Sequence, residues 1–222
     1  ILLSTRGGRC IRFPVDEVRV FSSRTSTGVR GIRLQDGDDV ISISTLRHAE
    51  FGVEERDAYL RIARLRRGPE EAEDEAADPS AEPAAASPLP DLDERRIAER
   101  AAQEQFLLSV TSNGFGKRTS SYEYRIAGRG GQGIANIRTS ERNGSVVASF
   151  PVEPGDELLL VTDGGQMLRI GVDGIRIAGR NTQGVVLFRV EDGEQVASVS
   201  RIASVPEDGG TDAPAETQPA AK

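Results

Sequence analysis

The sequence has no Trp, one Cys, one His and one Met, and only 5% of its 222 residues are aromatic. Cys10 alone cannot form an internal disulfide, and His48 alone leaves too few ligands for a usual zinc site. The lack of disulfides fits a reducing cytoplasm. No apolar run approaches the ~20 residues that a membrane-spanning helix needs. No basic segment leading into an apolar stretch opens the chain, so a secretory signal is not expected. The chain begins at Ile1 rather than Met and is expected to be a piece of a longer protein.

Catalytic constellations are missing as well. His48 has no nucleophile at a motif spacing and reads as a surface side chain. Cys10, next to Ile11, reads as a small core residue rather than a reactive thiol. No motif that would activate a phenol surrounds Tyr59, Tyr122 or Tyr124. Asp36, Asp38 and Asp39 read as the solvated tip of a hairpin. The glycine-rich run Gly128 to Gly133 lacks the Lys-Ser/Thr pair and the following helix that a nucleotide phosphate requires.

Glycine (24), proline (11) and unevenly placed charge are abundant instead. The whole chain has 28 Lys+Arg against 35 Asp+Glu, a net of −7. Residues 47–105 hold 9 Arg and 16 acids, and residues 206–222 hold one Lys and 4 acids. The remainder therefore carries 18 cations and 15 acids, a net of +3. Residues 70–91, EEAEDEAADPSAEPAAASPLPD, have too few apolar side chains to offset chain entropy and are expected to be disordered, as is the tail 206–222.

Three segments, beginning at Ile1, Phe106 and Glu157, repeat one another. Gly8, Gly114 and Gly165 correspond, as do Arg12, Arg118 and Arg169. Arg24, Arg129 and Arg180 each stand four residues before Gly28, Gly133 and Gly184, and Arg33, Arg138 and Arg189 each follow that glycine by five. Each repeat reads as β. In the third, Leu158 to Val161 is a strand, Asp163-Gly164-Gly165 a turn, and Met167 to Ile170 the return. Val185 to Val190 alternates, and Val196 to Val199 closes the unit. About four antiparallel strands in ~50 residues is the size of a propeller-like blade. Between Ala49 and Arg67, apolar residues fall at helical spacing, and Asp91 is placed to cap a second helix carrying Ile97, Ala98 and Ala101. The expected fold is all-β: a blade at 1–46, a partly helical, partly disordered insertion at 47–105, blades at 106–154 and 155–205, and the tail.

One arginine register used in three repeats sets one guanidinium per blade along a common rim, the arrangement that the phosphates of a bent duplex require. The candidates for phosphate contact are Arg12, Arg24, Arg33, Lys117, Arg118, Arg129, Arg138, Arg169, Arg180 and Arg189, with Gly28, Gly133 and Gly184 as turn glycines. The structural alternative is that Arg12, Arg118 and Arg169 make inter-blade ion pairs with acids such as Asp16 or Asp173. No aromatic stacking platform is present, which favours duplex over single-stranded DNA. A propeller used for protein interaction is the other class of function that these repeats allow.

The stretches GFGKRTSSYEYRIAGRGGQGIANI from Gly114 and IRIAGRNTQGVVLFRV from Ile175 resemble the C-terminal DNA-wrapping domain in the A subunit of bacterial DNA gyrase. The resemblance covers all three repeats. It implies a six-bladed β-pinwheel whose neighbouring blades exchange strands and which wraps duplex DNA, with this chain as the last three blades. It also implies a complex of two A and two B subunits, with ATP and Mg used by the B subunit, no cofactor or metal in this segment, and a bacterial cytoplasmic, chromosome-associated location. The family's catalytic tyrosine belongs to a region outside this sequence. The family's QRRGGKG box is matched here only at Arg129, Gly130, Gly131 and Gly133. The corresponding subunit of topoisomerase IV is the neighbouring identity.

Overall fold

A computed structural model describes residues 1–68 and 90–204. Most of the acidic linker and the tail, where disorder is expected from the sequence, lie outside the described residues.

Each repeat opens on a hairpin: β1 (Leu2–Thr5) with β2 (Arg9–Arg12), β4 (Phe106–Thr111) with β5 (Phe115–Ser120), and β8 (Glu157–Thr162) with β9 (Met167–Gly171). A later strand of the same repeat pairs antiparallel with the first: β3 (Val40–Ser44) with β1, β7 (Val146–Val152) with β4, and β11 (Val196–Ile202) with β8. The fourth strand comes from the next repeat. β6 (Ile134–Ala135) adds to β2, with Ile134 opposite Cys10, and β10 (Val185–Val186) adds to β5, with Val185 opposite Gly116. The sheet orders are thus β3-β1-β2-β6, β10-β5-β4-β7 and β11-β8-β9.

The second and third repeats each contain four strands, as read from the sequence, and the fourth is exchanged between neighbouring blades, as the resemblance implies. A repeat keeps three strands and lends its fourth. The alternating run from Val185 to Val190 is a strand only over Val185–Val186, because the next two N–H groups, of Leu187 and Phe188, both turn to the carbonyl of Gly114. Gly133 shows why glycine precedes the lent strand: its φ is +69°, and a Cβ there would lie 2.2 Å from the carbonyl oxygen of Cys10.

The cores lie between sheets, as expected for elements with one apolar face. Leu108, Val110 and Val152 of the second blade pack with Leu158, Leu160, Val172, Ile175 and Val196 of the third. Leu2 and Cys10 of the first blade pack with Leu107 and Tyr124 of the second. Strand β7 touches both β3 and β11, so these own-repeat strands form the inner side and the exchanged strands the outer edge.

The insertion forms two helices, α1 (Val53–Arg67) and α2 (Glu94–Gln103). Asp93, not Asp91, caps the second, its carboxylate accepting from the N–H of Arg96 at 2.7 Å. Glu55 accepts from both Arg96 and Arg100, tying the helices together. Tyr59 and Phe51 pack edge-on against Tyr122 of the second blade. The base of the insertion is closed by Arg47 N–H donating to Gln105 Oε1 at 2.7 Å. Between the second and third blades Glu153 N–H donates to Asp156 Oδ2 in the same way. The insertion therefore leaves and rejoins the blades at the place where Pro154 and Gly155 alone make a turn.

Candidate nucleic-acid interface

The three arginine registers separate by what their guanidinium groups face. The first register works inside the protein. Arg12 donates to the carbonyls of Ser121 and Arg47 at 2.9 Å each. Arg118 donates to Ile175 at 2.8 Å and Asp173 at 3.0 Å. Both reach the short 3-10 turn that opens the outer half of the following repeat. Arg118 also stands 3.8 Å from the Asp173 carboxylate, the acid named for the ion-pair alternative. Burial lowers the pKa of Arg12 from its ordinary value. Arg169 is exposed and pairs with Glu157 of its own hairpin.

The second register is also engaged. Arg129 donates from Nη1 to the carbonyl of Arg30 at 2.7 Å and from Nε to that of Glu17 at 3.1 Å. Arg180 donates to Ala135 at 2.9 Å. Arg30 and Ala135 are equivalent positions, two residues past Gly28 and Gly133, so each guanidinium holds the exchanged segment of the preceding repeat. Arg24, the first-repeat member, is exposed.

The third register differs. Arg33, Arg138 and Arg189 are all exposed, and no side-chain partner holds them among the described residues. Their backbones are fixed where a following repeat exists: Arg33 N–H donates to Gly131 at 2.8 Å and Arg138 N–H to Thr182 at 3.0 Å. Arg33 and Arg138 thus leave from a fixed backbone, and all three guanidinium groups stand in solvent, the geometry that suits a phosphate oxygen.

Lys117 lies elsewhere than a rim contact requires. It is fully buried, and its ammonium donates to the carbonyls of Gly179 and Arg180. With Thr119 Oγ1 donating to Ala178, it pins the loop that carries Arg180. Two residues not singled out from the sequence matter as much. Glu17 accepts from the backbone N–H of Arg129 at 2.7 Å, and Glu123 from that of Arg180 at 2.9 Å. The signal was available, since each stands five residues after Arg12 or Arg118, and Gly174 takes that position in the third repeat.

Antiparallel sheets completed by a neighbour's strand, with arginines along the outer edge, define a propeller-like repeat protein of the pinwheel type. The chain belongs to the family described as DNA gyrase C-terminal domain, beta-propeller, which it matches over residues 1–47, 105–153 and 156–203. The α1–α2 insertion falls outside the match. The chain is 51% identical over 206 residues to the DNA gyrase A subunit of Granulibacter bethesdensis, covering 90% of this chain and 22% of that protein. It is 44% identical to the DNA gyrase A subunit of Rickettsia bellii, covering 98% of this chain and 23% of that protein. The chain thus spans about a fifth of the length of these relatives. Its fold matches a solved DNA gyrase A C-terminal domain (TM-score 0.60, 19% identity, 90% of this chain and 49% of that one). It matches the C-terminal domain of DNA topoisomerase IV about as well (TM-score 0.59, 18% identity, 91% and 46%). The fold does not separate these two, whereas the high sequence identities are to gyrase A subunits. No helix among the described residues is long and apolar enough to cross a membrane.

Proposed function

We propose that this chain forms part of the duplex-DNA-binding rim of a DNA gyrase A subunit, serving the wrapping of DNA that precedes strand passage. The observation that carries this reading is the recurrence of Arg33, Arg138 and Arg189, one per repeat, as exposed side chains with no protein partner among the described residues. Their contacts are to phosphates and are independent of base sequence, as expected of guanidinium groups spaced singly along a rim. The chain itself binds and orients DNA. Cleavage and religation belong to another part of the A subunit, and ATP with Mg to the B subunit, in a complex of two A and two B subunits in the bacterial cytoplasm.

Filter binding of the chain to a duplex at two salt concentrations tests the reading. The expected result is retention of duplexes of unrelated sequence, with log K falling linearly against log salt by about 0.9 per phosphate contact. A chain that retains no duplex at low salt would leave the repeats as a protein-interaction scaffold.

A further inference from the structure

The two blade junctions share one backbone plan and differ in what fills them. At both, the outer segment of the later repeat docks on the earlier hairpin through equivalent N–H groups. Ala127 donates to the carbonyl of Arg12 and Ala178 to that of Arg118, each at 2.8 Å. Asn136 and Ile137 donate to Gly8, as Leu187 and Phe188 do to Gly114. The exchanged strands β6 and β10 are two residues long in both cases. The fastening arginines do not separate the junctions either, since Arg12 and Arg118 each donate to backbone carbonyls.

Five buried side chains do separate them. Between the first and second blades they form a polar chain. Tyr124 OH donates to Asn136 Oδ1 at 2.7 Å. Asn136 Nδ2 donates to Ser109 Oγ at 3.0 Å and to Ser149 Oγ at 3.2 Å. The hydroxyls of Ser109 and Ser149 lie 3.4 Å apart, and Ser4 of the first blade donates to Ser149 across the boundary at 3.2 Å. All five are buried. Between the second and third blades the strand pairings and turn bonds place Ile175, Leu187, Leu160, Val199 and Val110 at the positions of Tyr124, Asn136, Ser109, Ser149 and Ser4. These five belong to, or pack against, one apolar cluster.

Parting the two junctions therefore has different consequences. Parting the second exposes apolar side chains, and water offers them nothing in return. Parting the first exposes hydroxyl, phenol and amide groups whose hydrogen bonds water re-forms. Closed, the polar chain still fixes a single register, because a shifted blade would bury these groups unpaired. We infer that the boundary between the first and second blades is a joint, which parts and recloses as a unit while the second and third blades stay locked together. Parting changes the separation of Arg33 from Arg138 and leaves that of Arg138 from Arg189 fixed. The joint does not depend on what those arginines bind.

Native-state hydrogen exchange of the 222-residue chain tests the joint. After correction for local sequence, the N–H groups of Ala127 and Ile137 are expected to exchange about tenfold or more faster than their equivalents Ala178 and Phe188, with a denaturant dependence shallower than that of global unfolding. Equal protection at the two junctions, or exchange at the first only through global unfolding, overturns the inference. A variant carrying Ser4→Val, Ser109→Leu, Tyr124→Ile, Asn136→Leu and Ser149→Val gives the first junction the side chains of the second. It is expected to raise the protection of Ala127 and Ile137 to that of Ala178 and Phe188. If that chain does not fold, Tyr124→Phe with Asn136→Leu, which leaves Ser4, Ser109 and Ser149 bonded to one another, is expected to raise protection in the same direction. Fast exchange that the folded variant does not slow comes from fraying of the first strand and overturns the joint.

Discussion

The guanidinium of Arg118 donates to the backbone carbonyl of Ile175 across a blade boundary, 2.8 Å away. An arginine that recurs at a repeat position thus works as a fastener between sheets. Arg118→Ala is expected to lower the unfolding free energy by about 1.5–3 kcal/mol, the range for hydrogen bonds to a charged group. Arg138→Ala, which removes an exposed side chain with no partner among the described residues, should stay within about 0.5 kcal/mol of the parent. Urea denaturation of the two variants side by side checks this; equal losses would refute the division between fastening and free registers.

For DNA the order reverses. Replacing Arg33, Arg138 and Arg189 by Ala should weaken duplex binding for all sequences alike and reduce the salt slope by about 0.9 for each phosphate no longer engaged. Binding isotherms across a salt series measure it. An unchanged slope in the triple variant would remove these three residues from the interface. In a complete gyrase the same triple variant is expected to lose DNA wrapping and supercoiling while retaining cleavage.

Cys10 offers a probe of the junction between the first two blades. Burial pushes its thiol up to about 12 from an ordinary 9.0, outweighing the nearby cations Arg180, Lys117 and Arg9. The native thiol is therefore protonated at pH 8 and should resist alkylation until the blades separate. The unfolded chain gives up this proton first, so the stability contribution is complete below pH 9 and is lost as the pH rises from 9 towards 12. Alkylation rates in native buffer and in denaturant, read by mass spectrometry, check the first statement. Rapid native alkylation would contradict the packing.

Asp156 contributes to stability on the acid side. Desolvation would raise its pKa, but donation from Glu153 N–H, Arg201 and Ser204 N–H together lowers it below the ordinary 3.8. Its contribution to stability is present above pH 3.8 and disappears as the pH falls through the lower native value. Asp156→Asn is expected to reduce stability at neutral pH and to flatten the loss of stability at acid pH. Thermal unfolding of both proteins over a pH series tests this, and parallel acid limbs would refute it.

The repeat unit, its turns and its β character were legible because Gly, Arg and apolar residues recur in register from Thr5, Thr111 and Thr162 onwards. The ownership of the fourth strand was not readable from periodicity. Alternation around Val185 indicates a strand, but the partner edge at Gly116 lies far away in sequence and imposes only a two-residue pairing. Ten candidate cations could be named by position, but not sorted. Whether a guanidinium meets solvent or a carbonyl depends on the carbonyl, and backbone carbonyls such as those of Arg30 and Ala135 carry no residue signature. Lys117 is the extreme case: a lysine beside an arginine in a strand suggests an exposed charge, and only the inward-facing carbonyls of Gly179 and Arg180 make its burial tolerable.

The helical insertion grows from a knot that is the same with or without it: Gln105 and Arg47 close it in one blade, Asp156 and Glu153 in the next. The insertion also reaches the junction that carries Arg180: Arg64 of α1 lies 3.4 Å from the Glu123 carboxylate, which accepts from the N–H of Arg180. A segment of another length can be joined at the same knot, but one without a counterpart of Arg64 would leave Glu123 to hold the Arg180 loop without that cation.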